Sequence, residues 1–545
     1  MEGRWRAFGM GSGLGRVGLF STEEGREGVT EGEEGWFEGG WVCGWLGWLR
    51  LRLTVVLGME DFAALEAKFR RTPVRLLDHD GVSGVLRLRG RKSLLSLTSE
   101  KFIQFQQSDE NGWFDVRVKA PDGREILLHH AFNSGTSEHY LRGTSVYSAS
   151  IFPNIVIDDI KGISEDHKIQ RIRFRFRGMR NFFYYRHTEA LRGYPLSTAL
   201  IDEIRAVRHP TSQDDGIFAP RELYIVHDFP IFLDFKIDDR AYQVWAGGRS
   251  AGGYSARIDA RTYPICSITF DSPVSIAVAL DRVWEWHRFF IEMAMQPLPF
   301  KTVSVEGSTD YDTPSANVYF PNLKQRVRIK NEVSPRYVPL NFWRDRERLG
   351  GAMQNWLSRN AMRKGFRGRL ARVIDRISQR IDPTDLVELG SAVDSLDELK
   401  MPASLLPREV LNAMADAAHS AAVAAGAAID HGRVRDLLGA IQRPSLSKRF
   451  MALGAAVSPP VIENDIRILA NSAAQIRNDS AHGRDLNAQT QPRLYPTVQA
   501  LTALCVRFDL QTCGVPIRSS ADAPSIMQQR FEDGMEQLRQ LQAHR

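Results

Sequence analysis

The stretch SIAVALDRVWEWHRFFIEMAM, residues 275–295, lies where a β pattern gives way to an α pattern along the chain. Its apolar side chains recur every three or four residues, which is the spacing of one face of a helix. We therefore predict a helix over residues 275–295. The side chains at helical spacing are Ile276, Leu280, Val283, Trp284, His287 and Ile291.

Residues 74–271, before this helix, have the pattern of β structure. Short runs alternate apolar and polar residues, as in GVLRLR at residues 84–89 and DVRVK at residues 115–119. Turn sequences such as Pro121-Asp122-Gly123 separate these runs. The glycine-rich residues 247–253 indicate a flexible loop and not a phosphate-binding loop, because no helix pattern follows them.

The chain beyond the central helix is predicted to be mostly helical. Two short strands, at residues 302–305 and 316–320, precede a helical region that begins near Asn341 and is punctuated by prolines. Residues 414–429 are dense in alanine, which permits close packing between helices. The predicted fold class is α+β and multidomain, with antiparallel, sandwich-like sheets in the N-terminal half and an all-α bundle in the C-terminal half.

The first 58 residues differ from the rest in composition. They are rich in Gly, Glu and Trp and show neither a helical nor a strand period. An amphipathic pattern starts at Met59, so we expect residues 1–58 to be a disordered extension or the product of a start codon assigned too early. The predicted organisation then has a β-rich domain at 59–272, a linking helix and strands at 273–340, and a helical region at 341–545.

Composition limits the classes of protein to consider. The 545 residues are 43% hydrophobic and 25% charged, as in ordinary globular proteins, and the net charge of +6 only weakly favours a polyanionic partner. Four scattered cysteines form no CxxC pair, so neither a disulfide framework nor a zinc site is indicated, and a reducing cytoplasm fits. No segment has the pattern of a membrane span. His129 and His130 have no carboxylate or cysteine near them in the sequence at the spacing of metal ligands. We expect no metal or other cofactor.

The run Arg477-Asn478-Asp479-Ser480-Ala481-His482 combines two side chains suited to RNA cleavage. Arginine is a permanent cation whose forked donors match phosphate, and histidine exchanges protons near neutral pH. Asn478 is a polar neighbour that could orient His482, contact ribose or simply cap the helix. Similar Arg-to-His spacings recur elsewhere in the chain, so the motif is equally compatible with a helix-end arginine and a surface histidine.

A second basic feature lies in the predicted helices after Asn341. Arginines recur there at steps of two to four residues, and such a row is either a solvated helix face or a stripe that follows an RNA backbone. The candidate RNA contacts are Arg369, Arg372, Arg376 and Arg380, preceded in the same row by Arg359, Arg363 and Arg367.

The order of these features resembles that of the ApeA-type bacterial anti-phage proteins, whose C-terminal domain belongs to the HEPN superfamily. The resemblance runs from about residue 72 to 510. It is carried by residues 81–90, 151–157, 172–183, 275–295 and 443–450, and by the terminal Arg-Asn-x-x-x-His motif.

This resemblance implies a metal-independent endoribonuclease. HEPN domains are helical, usually pair as dimers and bring two copies of the motif together at the two-fold axis. Arg477 and His482 match the two defining positions, and Asn478 matches the polar residue that usually follows the arginine. The resemblance implies three kinds of partner: RNA, with tRNA as one candidate; further copies of the chain, in a homodimer or a larger homo-oligomer; and a phage-derived trigger.

The residues also suggest why a dimer is needed. In RNA the ribose 2′-hydroxyl can attack the adjacent phosphorus, so the protein must accept one proton and donate another. A single chain has only one His482, which cannot act as both the proton acceptor and the proton donor at the same time. Two chains whose His482 side chains face a shared cleft would provide one group for each proton transfer. Two other functions stay open. The helical half could bind RNA or protein without cutting it, or the β half could be a carbohydrate-binding sandwich.

Overall fold

The computed structural model divides the described chain into two compact units. The first comprises residues 1–283 and 299–327, and the second comprises residues 284–298 and 328–545. The residues described are 5–9, 17–21, 60–105, 112–141, 144–160, 163, 168–183, 188–192, 222–226, 231–251, 259–308, 315–321, 334–399, 407–442, 445–481, 486, 489–518 and 524–543.

The first unit is built mainly from β-strands. In chain order they are β1 (Trp5–Gly9), β2 (Val17–Ser21), β3 (Thr72–Leu76), β4 (Ser83–Arg87), β5 (Leu94–Ser99), β6 (Phe114–Lys119), β7 (Glu125–Leu141), β8 (Thr144–Asp158), β9 (Lys168–Phe176), β10 (Thr188–Arg192), β11 (Glu222–Val226), β12 (Ile231–Ile237), β13 (Arg240–Ala251), β14 (Asp259–Ser275), β15 (Phe300–Glu306) and β16 (Ala316–Tyr319). A short helix, α1 (Phe62–Lys68), precedes β3.

Six of these strands close on themselves. The order β8-β5-β4-β3-β6-β7 is completed by pairing of β7 with β8, and every pair is antiparallel. Strand β6 alternates buried and exposed residues, as expected of a sheet with one face on a core. The predicted β-rich half is confirmed, and closure of six strands into a ring is a feature that the local pattern did not predict.

The same sheet continues as an open run from β8. Strands β16, β15, β9, β14, β13 and β12 follow in that order, all antiparallel. Here the prediction of a loop at residues 247–253 is wrong for residues 247–251. Those residues continue β13 and pair with β14, with Gly247 opposite Tyr263 and Ala251 opposite Asp259. Residues 252 and 253 lie outside the described residues.

Two strands fall in the segment for which no strand period was predicted. Strands β1 and β2 pair with each other, and β2 pairs in parallel with β11 in a separate four-stranded sheet. Both strands lie within residues 1–58, for which the sequence predicts a disordered extension or a start codon assigned too early, and that expectation stays a prediction. Both strands are five residues long, which is too short for periodicity to distinguish from irregular chain.

The central helix predicted at residues 275–295 is confirmed as α2 (Ile276–Ala294). Its first turns belong to the first unit and the remainder to the second. The predicted strands at 302–305 and 316–320 are confirmed as β15 and β16, and both pair within the large sheet. Residues 273–340 therefore contain parts of both units.

The second unit is helical, as predicted. Its helices are α3 (Phe342–Ser358), α4 (Asn360–Ile377), α5 (Thr384–Asp394), α6 (Arg408–Ala424), α7 (His431–Gln442), α8 (Leu446–Ala456), α9 (Glu463–Ala481), α10 (Gln491–Thr512) and α11 (Ile526–Ala543). Helix α10 is buried on nearly every side from Leu494 to Leu510, which is the pattern of a central helix. Helices α3 and α8 start after Asn341 and Ser445, whose side chains accept the first free backbone N–H groups.

Helix α6, which contains most of the alanine-rich segment, lies largely at the surface of the described chain. In α6 only Ala415 is buried, while Val410 and Met414 are exposed at 42% and 44%. Small side chains permit close approach between helices, but a facing apolar surface is also required to drive it.

Candidate functional site

The Arg-Asn motif lies in the last two turns of α9. The buried side chains of Leu469, Ala473 and Ile476 hold this helix in the core of the second unit. The hydroxyl groups of Ser472 and Thr497 are 2.8 Å apart and join α9 to the central helix α10. The residues just before the motif are therefore fixed by packing on both sides.

Arg477 and Asn478 are both exposed on this anchored helix. Asp479, which could repel RNA phosphate, is half-buried and lies about 200° from Arg477 around the helix axis. The carboxylate therefore does not share the arginine's face. The helix is described to Ala481, and His482 lies outside the described residues. The structure thus places two of the three predicted catalytic residues together on one exposed surface.

A second arginine that the sequence prediction did not include lies within electrostatic range of Arg477. Arg449, in α8, forms an ion pair with Asp394, the last residue of α5. Its side chain is 17% exposed and that of Asp394 is 45% exposed. Burial and then the positive charge of Arg477 lower the pKa of Arg449. The only sequence signal for this residue was its place in the segment 443–450.

The four arginines predicted as RNA contacts lie in α4 and just after it. Glu388 is 3.1 Å from Arg372 and 3.8 Å from Arg369, and the Asp385 carboxylate is 2.7 Å from Arg376. Arg380 is exposed. Two carboxylates of α5 thus offset much of the charge of this row, and its contact with RNA stays a prediction.

Two other members of the arginine row are not part of any exposed face. Arg363 is 2% exposed and Arg367 is fully buried, so the interpretation of the whole row as one solvated or RNA-facing stripe is wrong for both. They pair with the fully buried carboxylate of Asp509 in α10, and the Nε atom of Arg367 donates to it at 2.7 Å. Trp356 donates to the same carboxylate at 3.0 Å. This cluster supports the core of the second unit.

Glu292 is a further buried acid beside this cluster, and its titration predicts a pH dependence of stability. Burial and then the negative charge of Asp509 raise the pKa of Glu292 well above its ordinary value of 4.5. The native state therefore keeps a proton that the unfolded chain releases. Stability should fall as pH rises above 4.5, by about 1.4 kcal/mol per pH unit until Glu292 ionises in the native state.

The variant Glu292→Gln is expected to remove this slope, because glutamine has no proton to keep. Urea unfolding of the full chain between pH 5 and pH 8 measures it, with the exposed Glu409→Gln as the matched control. A variant whose unfolding free energy keeps the wild-type pH slope would show that Glu292 is not the group responsible.

The two adjacent histidines of the first unit contact a carboxylate of the neighbouring strand β6. The Nδ1 atom of His129 is 3.0 Å from Asp115, whose other oxygen accepts the backbone N–H of His130 at 3.0 Å. Burial raises the pKa of Asp115, but the hydrogen bond and charge of His129 outweigh this and hold it below its usual value. Within the described residues no group of three or more His, Cys, Asp or Glu side chains is arranged to hold a metal ion.

Comparison with known protein families identifies part of the chain. Residues 75–356, just over half of the chain, match the family model described as ApeA N-terminal domain 1. No curated protein and no solved structure matches the chain. Among the described helices, none has the length and apolar character needed to cross a membrane.

Proposed function

The chain belongs to the ApeA family of anti-phage defence proteins, and from this premise we propose that its helical half is a HEPN-type, metal-independent endoribonuclease. Its substrate in this proposal is RNA, with tRNA as one candidate, in the cytoplasm of an infected bacterium. The N-terminal half holds the nuclease inactive until a phage-derived trigger appears. Cleavage of cellular RNA then stops phage propagation together with the infected cell.

The observation that carries this proposal is the exposure of Arg477 and Asn478 on an anchored helix directly before His482. A catalytic cation must be reachable by substrate and yet be held in place. The buried neighbour Ile476 and the contact between Ser472 and Thr497 supply the rigidity, and the exposed face supplies the access.

The proposed reaction needs no metal because the substrate provides its own nucleophile. The ribose 2′-oxygen forms a bond to phosphorus while the bond from phosphorus to the 5′-oxygen breaks, leaving a 2′,3′-cyclic phosphate and a 5′-hydroxyl. One His482 accepts the 2′-hydroxyl proton, and the His482 of a second copy donates a proton to the departing 5′-oxygen. Arg477 keeps its proton and stabilises the charge on the phosphorane. Asn478 orients His482 or contacts the ribose.

Cleavage of total RNA and tRNA by the purified full chain with EDTA present tests the proposal. We expect fragments ending in cyclic phosphate, and a rate about 10²- to 10³-fold lower for Arg477→Ala, because one preorganised donor to the developing charge is lost. Arg467→Ala is the matched control, since Arg467 lies on the same helix, is 55% exposed and pairs with Glu463 at 3.0 Å.

A latent enzyme would cut only after its trigger appears, so the same variants are also compared in cells during phage infection. Protection and RNA fragmentation that need Arg477 but not Arg467 would support the nuclease. Protection that persists in Arg477→Ala without RNA fragments would instead favour a non-catalytic RNA- or protein-binding role for the helical half.

A further inference from the structure

The open run of the large sheet carries a row of polar side chains across five consecutive strands. Residues that lie opposite each other on neighbouring strands share one face of a sheet, so the strand pairings define the row. From β16 to β13 its members are Asn317, Ser304, Arg173, Ser267 and Gln243. Thr302 lies two residues before Ser304 on β15 and therefore belongs to the same face, which we call the polar face.

The centre of the polar face is buried. Ser304 is 1% exposed, Ser267 is 3% exposed and Arg173 is 5% exposed. The reverse face of the same strands carries apolar side chains such as Phe174 and Val303, which are fully buried. A sheet that is covered on both faces normally has apolar residues on both, because burial of a polar group without a partner costs free energy. Packing alone therefore does not account for the composition of the polar face.

Two hydroxyl groups at the centre of this face lack partners. The side-chain oxygens of Thr302 and Ser304 are buried, and neither has a hydrogen-bond partner among the described residues. Ser304 lies directly opposite Arg173 on β9, and Thr302 lies opposite Arg175. An arginine cannot accept a hydrogen bond from a hydroxyl, because its guanidinium group contains only donors. The two hydroxyls and the Arg173 guanidinium can all donate to one acceptor that has several oxygens.

Arg173 is held in place on the polar face. Its Nη1 atom is 2.5 Å from one oxygen of the Glu306 carboxylate, and its guanidinium carbon is 5.8 Å from the centre of the Trp245 ring. The other oxygen of Glu306 is 3.3 Å from Arg171, whose side chain is 18% exposed and so lies where solvent reaches this face. A guanidinium group that is positioned before a ligand arrives loses little conformational entropy on binding.

We propose that the polar face binds a small phosphate-bearing ligand, with Arg173, Ser304 and Thr302 donating hydrogen bonds to its oxygens. A phosphate group combines negative charge with several acceptor oxygens, which match guanidinium and hydroxyl donors. The ligand is small because the donors are buried, whereas RNA or a protein partner requires an exposed surface. This inference concerns the β-rich unit and does not rest on the proposed nuclease.

Isothermal titration calorimetry of the full chain with sodium tripolyphosphate and with ATP tests the inference. We expect Ser304→Ala and Thr302→Val each to raise Kd about 10-fold, because each variant removes one hydrogen bond to a charged group. Neither variant should lower the melting temperature of the unliganded protein, since the hydroxyl that it removes is buried without a protein partner. The matched control is Ser96→Ala, an exposed serine of β5 in the same unit, which should change neither quantity.

The two probes also distinguish the sources of the phosphate group. Tighter binding of ATP than of tripolyphosphate would support the inference with a nucleotide as the ligand, and equal binding would support it with recognition of the phosphates alone. Binding of neither probe at millimolar concentration would overturn the inference, as would an unchanged Kd in the folded Ser304→Ala and Thr302→Val proteins. A lower melting temperature of both unliganded variants would also overturn it, because the hydroxyls would then have a structural role.

Discussion

Replacement of His482 by alanine is expected to lower RNA cleavage by about 10²- to 10⁴-fold, the usual range for loss of one general acid or base. The proposed reaction moves two protons and Arg477 moves neither of them. Without His482, water must accept the 2′-hydroxyl proton and donate the other proton to the 5′-oxygen at neutral pH. RNA binding should change little, because the phosphate contacts come from arginine side chains.

The measurement is the initial rate of cyclic-phosphate formation with EDTA present, beside His431→Ala as the control. His431 is a 44% exposed histidine of the same unit, paired with Asp416 at 2.7 Å and placed in no part of the proposed site. If His482→Ala retained the wild-type rate while still folded, the motif would not be the active site of this protein.

Mixed dimers distinguish a shared site from two independent ones. Wild-type and His482→Ala chains are co-expressed in different ratios. If each site needs both histidines, the remaining activity is proportional to the square of the wild-type fraction. A site contained within one chain loses activity in direct proportion to that fraction. A linear dependence would therefore contradict the two-histidine mechanism without contradicting the nuclease itself.

Replacement of Asp509 by alanine is expected to destabilise the helical unit by about 3–5 kcal/mol, the cost of removing one partner from a buried ion pair. The Asp509 carboxylate is fully buried and compensates both Arg363 and Arg367, which are themselves buried. Its loss leaves two guanidinium groups without that anion and also removes the acceptor for the indole N–H of Trp356.

Urea unfolding of the full chain, followed by circular dichroism at 222 nm, measures this cost in the transition of the helical unit. Asp416→Ala is the matched control, since its carboxylate is 68% exposed and pairs only at the surface with His431. Surface pairs contribute about 0–1 kcal/mol. If Asp509→Ala lowers the free energy of unfolding by less than about 1 kcal/mol, Arg363 and Arg367 must bind other anions or water when the carboxylate is removed.

Periodicity predicted the elements that are long and have one buried face. The helix at residues 275–295 was predicted within one residue of its observed ends, and Asn341 caps α3 where the helical region was expected to begin. The predicted run at residues 115–119 likewise lies within the strand β6 (Phe114–Lys119). In each case the sequence repeats locally at the spacing that the element itself imposes, so no distant partner is needed to recognise it.

Other features depend on which distant segments pair. Residues 247–251 have the composition of a loop and become strand because β14 supplies a hydrogen-bonding edge along their length. Arg363 and Arg367 have the spacing of an exposed stripe and become core residues because Asp509 lies opposite them, more than 140 residues away. His129 and His130 gain Asp115 in the same way, across a strand pair.

The sequence by itself therefore determined the β-rich and helical halves, the central helix between them, and the presence of the Arg477-to-His482 motif on which the proposed chemistry rests. Only the tertiary structure decided which arginines are buried beside Asp509 and which are paired along α5, and only it paired Arg449 with Asp394. The physical reason is one of range. The periodicity of a helix or strand can be seen in residues that are neighbours in sequence. The partner of a buried charge, in contrast, can come from any part of the chain that packs within a few ångströms of it.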